Sequence, residues 1–227
     1  RGIAVLASRP DGHKIAVTIT VFHNGRAAAE AYAHKLSTFS QTAAQNVSWA
    51  RNYLLGVSRT DIHNETRPDG TVVGYTMEIN DYIEGESLHD RMNNLSPRNL
   101  VERLKLIHDY VDVNSHLVRL GYFNYDIEDL SNIIISEQSK EMRLIDFDKI
   151  FPYDQKDTVS YKEMLIKAII HLLSGHFFQF SHPDEWAQVQ GLIKKDFRGN
   201  IKVVSLGSFL EKAYKNESMG LAEFMRS

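Results

Sequence analysis

Cysteine is absent from all 227 residues. That excludes disulfides, thiolate metal sites and a thiol nucleophile together, and leaves the compartment open, since a chain without thiols is tolerated in cytosol and secretory lumen alike. Long apolar runs are also missing. None approaches the roughly 18 to 20 residues that a membrane-spanning helix needs. Neither sign of charge dominates: 26 Lys and Arg face 29 Asp and Glu, for a net charge of −3. No global basic field therefore calls for nucleic acid, and the Lys194-Lys195 neighbourhood is too small a patch to do so locally. The ten histidines show no His-Glu-x-x-His or comparable spacing, so a zinc site is not expected. His171 and His176 flank a helix end near Gly175 and read as structural. There is no internal repeat and no low-complexity stretch. Asn-x-Ser/Thr triplets stand at Asn46, Asn64 and Asn216, a pattern that chance produces often.

What is present is an ordinary composition for a folded domain, with 43% hydrophobic and 24% charged residues. The length suits one large domain or two small lobes. Gly2–Ala7 and Lys14–Phe22 are β-branched, apolar runs separated by Arg9-Pro10-Asp11-Gly12, which predicts a β-hairpin. From Gly25 to Leu36 an alanine-rich run of strong helix formers predicts a helix. Tyr53–Val57 and Thr71–Ile83 are further strand candidates, the second following a polar loop that contains Arg67-Pro68-Asp69-Gly70.

After Gly85 the character changes. Ser96-Pro97 predicts a helix start with proline in its first turn, running from Arg98 to about Leu120. Leu100, Leu104, Ile107, Val111 and Leu117 recur at three- and four-residue steps, and Gly121 ends the run. Two short strands follow, Asn132–Ser136 and Met142–Phe147, and then helices near Tyr161–Leu173, Asp184–Lys194 and Leu206–Lys215. Phe177-Phe178-Gln179-Phe180 reads as core, though an exposed aromatic run would mark a partner surface. The fold class expected is α+β: residues 1–84 a β-sheet lobe with one main helix, residues 85–227 mainly helical with one buried hairpin.

Chemistry concentrates in Gly121–Ile150. Asp126 stands in a loop after a long helix, Asn132 immediately precedes an apolar strand, and Asp146 closes the next. Phosphoryl transfer needs a carboxylate to orient the attacking hydroxyl and oxygen ligands to hold magnesium on the phosphates. This set supplies both. Taken singly, Asp126, Glu128 and Asp129 read equally well as a solvated acidic loop, and Asp146 as a turn cap.

The same stretch resembles the catalytic and metal loops of the protein-kinase superfamily. Asn124-Tyr125-Asp126 matches the His-x-Asp element, Asn132 the following Asn, and Asp146-Phe147-Asp148 the Asp-Phe-Gly element. Asp81-Tyr82-Ile83-Glu84-Gly85-Glu86-Ser87-Leu88 resembles the hinge, whose backbone would hold an adenine at Asp81 and Ile83. Ala27–Leu36 resembles the small-lobe helix, with Glu30 as its ion-pair residue. The resemblance implies Asp126 as catalytic base, and Asn132 and Asp146 as magnesium ligands converging within roughly 10 Å. ATP and magnesium are the implied cofactors, with a protein substrate or partner.

The departures imply the opposite for nucleotide. Ala16-Val17-Thr18 stands where the family has Ala-x-Lys, and a threonine hydroxyl supplies no positive charge to phosphate. Lys14, on the same strand face, is the substitute by period-two geometry. No glycine-rich loop is present, the family histidine is Asn124, the metal-loop glycine is Asp148, and Asp126 to Asn132 is one residue longer than usual. The activation segment is very short and lacks Ala-Pro-Glu. These traits resemble the apicomplexan With-No-Gly-loop secreted kinases and pseudokinases, including bradyzoite pseudokinases, or compact bacterial type III effector kinases. The first implies secretion into a parasitophorous vacuole or host cell. Two functions follow from the resemblance: a pseudokinase acting through a protein partner with weak or absent ATP and magnesium binding, or an active atypical Ser/Thr kinase. A small-molecule phosphotransferase of the aminoglycoside-kinase type is the third class, for which the chain is short.

Overall fold

Turn chemistry repeats in the first part of the chain, and it sets the sheet. In the computed structural model, which describes residues 2–23, 25–45, 59–96, 99–182, 184–197, 200–215 and 219–225, the elements begin with β1 (Gly2–Ser8), β2 (Lys14–Phe22), α1 (Arg26–Gln45), β3 (Arg59–Thr66) and β4 (Val72–Asp81). There follow β5 (Gly85–Ser87), α2 (Leu88–Asn94), α3 (Leu100–Arg119), β6 (Tyr122–Asn124), β7 (Ile133–Ser136), β8 (Met142–Leu144) and β9 (Ile150–Pro152). The remaining helices are α4 (Thr158–Ser174), α5 (Glu185–Asp196), α6 (Ile201–Lys215) and α7 (Leu221–Phe224). The class is α+β. Two units divide the chain: Arg1–Gly85 with Ser136–Asp148, and Glu86–Ile135 with Lys149–Ser227.

In the first unit, an identical Arg-Pro-Asp-Gly turn closes each of two hairpins. Pro at the second position presets φ, and Asp at the third bonds the backbone two residues on. His13 N–H donates to Asp11 Oδ1 at 3.0 Å and Thr71 N–H to Asp69 Oδ1 at 2.9 Å. Gly12 and Gly70 take φ of 84° and 82°, which a side chain would resist. The hairpins join into an antiparallel sheet of order β1-β2-β4-β3. The polar Arg67-Pro68-Asp69-Gly70 loop stands as expected before Thr71, and β3, which precedes it, was not foreseen. Its residues carry no alternating pattern, and its pairing with β4 along Arg59↔Ile79 to Thr66↔Val72 makes it a strand. The Tyr53–Val57 candidate lies outside the described residues.

Helix α1 buries Ala29, Ala33, Leu36, Phe39 and Ala43, the three- and four-residue spacing of a single face. It continues nine residues beyond the predicted end at Leu36 because Thr38 and Thr42 bond their hydroxyls back to His34 O and Thr38 O, both at 2.9 Å, and do not cap a terminus. It lies close on β4. A Cβ at Gly74 would stand 2.7 Å from Gly25 O and 3.0 Å from the Ala29 Cβ. Along β4, Val73 and Gly74 are buried, and after them Thr76, Glu78 and Asn80 are buried while Tyr75, Met77 and Ile79 are half-buried. The covered face of this strand is therefore the polar one.

The Ser136–Asp148 segment of this unit turns through Ser136 N–H to Glu141 O (3.0 Å) and Lys140 N–H to Ser136 O (2.9 Å). Its Phe147 ring packs on Phe39 at 5.4 Å between centroids. Strand β8 ends at Leu144, so Asp146 sits in the loop beyond it, not at the strand end.

In the second unit, α3 starts at Leu100, two residues later than predicted, because Asn99 caps it by accepting from Glu102 N–H. Ile107 and Leu117 of the predicted stripe are buried, but Leu104 is partly exposed, and Leu106, Tyr110 and Val113 are buried as well, so the buried stripe is rotated from the predicted one. The unforeseen β6 pairs antiparallel with β9, Tyr122↔Pro152 to Asn124↔Ile150. Helix α4 buries an apolar stripe that includes Leu165, Ile166, Ile169, Ile170, Leu172 and Leu173, and its Tyr161 stacks on Phe123 at 4.1 Å. At its C-terminus stands Arg103, 1% exposed. The guanidinium donates to Leu172 O at 2.9 Å and Leu95 O at 3.1 Å, placing positive charge where the helix dipole is negative. Phe178 is buried, Phe180 stacks on Trp186 at 4.3 Å, and Phe177 is exposed, so the aromatic run is mainly core. Among the described residues no helix is long and apolar enough to cross a membrane.

Substitution at two glycines checks the seating of α1. Gly74→Ala is expected to destabilise by about 1 to 3 kcal/mol through overpacking against Gly25 and Ala29. Gly191→Ala, in α5 with nothing within 4 Å of its added Cβ, is expected to stabilise by about 0.5 to 1 kcal/mol. Urea denaturation of both variants measures the contrast.

Candidate functional site

The second unit builds the loop that carries Asp126. Buried Ile127 and Leu130 anchor it, and the Tyr110 hydroxyl donates to Ile127 O. Asn124 accepts from Asp126 N–H at 3.0 Å and so serves here as a turn cap. Asp129 N–H donates to Asp126 O and Asn132 N–H to Asp129 O, at 3.1 and 3.2 Å. These stacked turns absorb the additional residue between Asp126 and Asn132. The Asn132 side chain returns to the aspartate: its Nδ2 donates to Asp126 Oδ2 at 2.9 Å. The amide oxygen of Asn132 is thereby the atom with acceptor capacity for a cation. Glu128 stands 3.9 Å from Lys167 Nζ, and burial holds its carboxyl above the usual range. Burial and the hydrogen bond to Asp157 push the Tyr125 phenol up to about 12.

In the first unit, Ala16 pairs across the sheet with Asn80, and Thr18 with Glu78. Burial pushes the Glu78 carboxyl up to about 7, Asp146 and Asp148 add to the rise, and the Tyr32 hydrogen bond and the Lys35 charge oppose it. Tyr32, on α1, is itself raised by burial and by the same carboxylates. Lys35 Nζ donates to the backbone carbonyl of Asp148 at 2.5 Å and lies 5.4 Å from the centre of the Tyr32 ring. Asp146 Oδ1 accepts from Asp148 N–H at 3.0 Å. Thr76 Oγ1, Glu78 Oε1 and Asn80 Oδ1 are buried without a hydrogen-bond partner.

The other predicted residues of this unit fall elsewhere. Lys14 is exposed, 3.6 Å from Glu84 and over the Tyr82 ring. Glu30 is on the open side of α1, held to Arg26 at 2.5 Å. Asp81 is exposed beside His13 and Arg9, at 3.2 and 3.9 Å. Lys14, Asp81 and Ile83 share an open groove of about 790 Å³ with Gly12, Ser136 and Arg143.

Asp126 and Asn132 thus form one hydrogen-bonded pair in the second unit, and Asp146 belongs to the first. Among the described residues no group of three or more His, Asp or Glu is arranged to hold a metal ion. Glu78, Tyr32 and Lys35 went unnoticed in the sequence. The signal for Glu78 was there: Thr76, Glu78 and Asn80 recur at period two inside a run read only as a strand candidate. No protein-family model matches the chain, and no curated protein does.

The raised Glu78 carboxyl has a pH consequence. Its protonated form is favoured in the folded state, so its contribution is fully present below 4.5 and is lost as pH rises through about 7. Glu78→Gln is expected to flatten the fall in stability across that window and to raise the melting temperature most at its alkaline end. Thermal melts of both chains across the window test this.

Proposed function

We propose that this chain is a divergent, bilobal protein-kinase-like protein acting as a pseudokinase: it binds a protein partner and holds nucleotide weakly or not at all. The observation that carries the reading is the pairing of Thr18 with Glu78. Where the kinase resemblance requires a lysine for phosphate, the sheet offers a hydroxyl, and the next strand offers a buried carboxyl. A charge-assisted contact to phosphate is worth roughly 1.5 to 3 kcal/mol, about ten- to a hundredfold in dissociation constant. A carboxylate nearby adds repulsion toward a polyphosphate. The order of a sheet-and-helix unit, a loop bearing Asp126 and Asn132, and the Asp146-Phe147-Asp148 segment supports kinase ancestry.

One observation favours the second reading, an active atypical Ser/Thr kinase. Asn132 is hydrogen-bonded to Asp126, an orientation suited to a base and a magnesium ligand acting side by side. Bound magnesium would be held by Asn132 and Asp146 and would supply positive charge to the phosphates.

A thermal-shift titration with ATP, with and without magnesium or manganese, separates the two. No saturable shift is expected for the native chain. Thr18→Lys combined with Glu78→Gln is expected to tighten ATP binding by on the order of tenfold. Saturable stabilisation of the native chain by ATP and metal, with phosphate transfer abolished by Asp126→Ala, would overturn the pseudokinase reading.

A further inference from the structure

An edge strand carries unpaired backbone groups, and the two edges of the first unit's sheet are guarded differently. β3, at one edge, bears Arg59, Asp61 and Glu65, charges of the kind that discourage pairing with another chain. β1, at the other, reads Gly-Ile-Ala-Val-Leu-Ala-Ser, with no charge and no proline. Among the described residues only β2 pairs with it. Its apolar side chains stand open: Ile3, Val5 and Leu6 are 64%, 49% and 55% exposed. They divide between the two faces of the sheet, because successive residues of a strand alternate. Ile3 and Val5 share a face opposite Ile19 and Val17, and Leu6 is on the other, opposite Ala16. A partner resting on either face would leave the other set bare. A strand added at the edge flanks both sets and also gives the outward amides and carbonyls their hydrogen bonds.

We infer that the occupant of this edge is β1 of a second copy, paired antiparallel about a two-fold axis at Val5, so that two four-stranded sheets join into one of eight strands. In that register the strand is complementary to itself. Val5 meets Val5 of the second copy, Ile3 meets Ala7, Leu6 meets Ala4 and Gly2 meets Ser8. Each of the two largest side chains therefore faces an alanine, and no like charges oppose one another along the seam. The contact is isologous, as in the commonest homo-oligomers. A seven-residue seam is roughly 24 Å long. Sheets joined edge to edge meet along that length alone, so the contact belongs with weak interfaces, under about 1,200 Å² in total. It shows as a monomer–dimer equilibrium that depends on concentration.

This pairing is independent of the pseudokinase reading and its test uses no nucleotide, so the two fail separately. Sedimentation velocity of the native chain is expected to show a dimer that grows with concentration. Val5→Lys sets two ammonium groups across the axis and is expected to raise the dimer dissociation constant on the order of tenfold or more. A native chain that stays monomeric overturns the proposal, as does Val5→Lys dimerising like the native chain. Register is read by crosslinking, since the native chain has no cysteine. Directly opposed residues of an antiparallel pair have Cα atoms about 4.5 to 5.5 Å apart, within reach of a disulfide. Under mild oxidation Val5→Cys is expected to give a covalent dimer, as is Ile3→Cys mixed with Ala7→Cys. Ile3→Cys alone, and Val101→Cys at an 81% exposed position of α3, are expected to remain monomeric. Should Val5→Lys fail to fold, crosslinking decides: no covalent dimer from Val5→Cys, or as much from Ile3→Cys alone, overturns the proposal.

Discussion

The close approach of α1 to β4 is the constraint on which the first unit depends. Gly74 has no side chain, Ala29 has a methyl, and Gly25, at φ 80°, turns the chain so that its carbonyl lies over the strand. Contact this near brings the next turn of the helix down on the strand, so Tyr32 meets Glu78 and Lys35 reaches Asp148. A bulkier residue at position 74 would lift the helix off the strand and draw Lys35 away from the Asp148 carbonyl. The electrostatics of the unit follow from a packing distance.

Seen this way, the polar strand face is not an anomaly to be tolerated. A sheet that covered apolar residues with α1 would gain more from burial. This one covers a threonine, a glutamate and an asparagine. Conformational specificity at such a price in stability is the pattern of buried polar groups that set a register or a switch. The second unit handles its buried charge differently. Arg103 is satisfied by backbone carbonyls near the end of α4 and after α2, which makes one side chain the cap of one helix and the fastener of another segment.

Legibility in the sequence tracked how local the cause was. The Arg-Pro-Asp-Gly hairpins, the α1 start after Gly25 and helices α3 to α6 were readable because proline, glycine, capping residues and apolar period act within a few positions. The loop from Asp126 to Asn132 was readable for the same reason. Strand β3 was not, since Arg59–Thr66 becomes a strand only by pairing with β4. Nor was the partner of Glu78: that pairing joins residues 46 positions apart across a helix and a sheet, and neither Tyr32 nor Lys35 differs in pattern from any other residue on an alanine-rich helix. The rotated stripe of α3 is a milder case, decided by what packs against it and not by its own spacing.

The first unit is also discontinuous. Ser136–Asp148 completes it after an excursion of 50 residues through the second unit. On a ribosome delivering the chain from its N-terminus, the sheet and α1 emerge long before the loop whose carbonyl Lys35 holds. Until then Lys35 lacks the Asp148 carbonyl to which it donates. Closing so long a loop is slow compared with forming either hairpin, so the nascent protein passes through an interval with a formed sheet and an open flank. A chaperone that meets the chain during synthesis would find that flank, and a stop codon placed anywhere before position 136 would make it permanent.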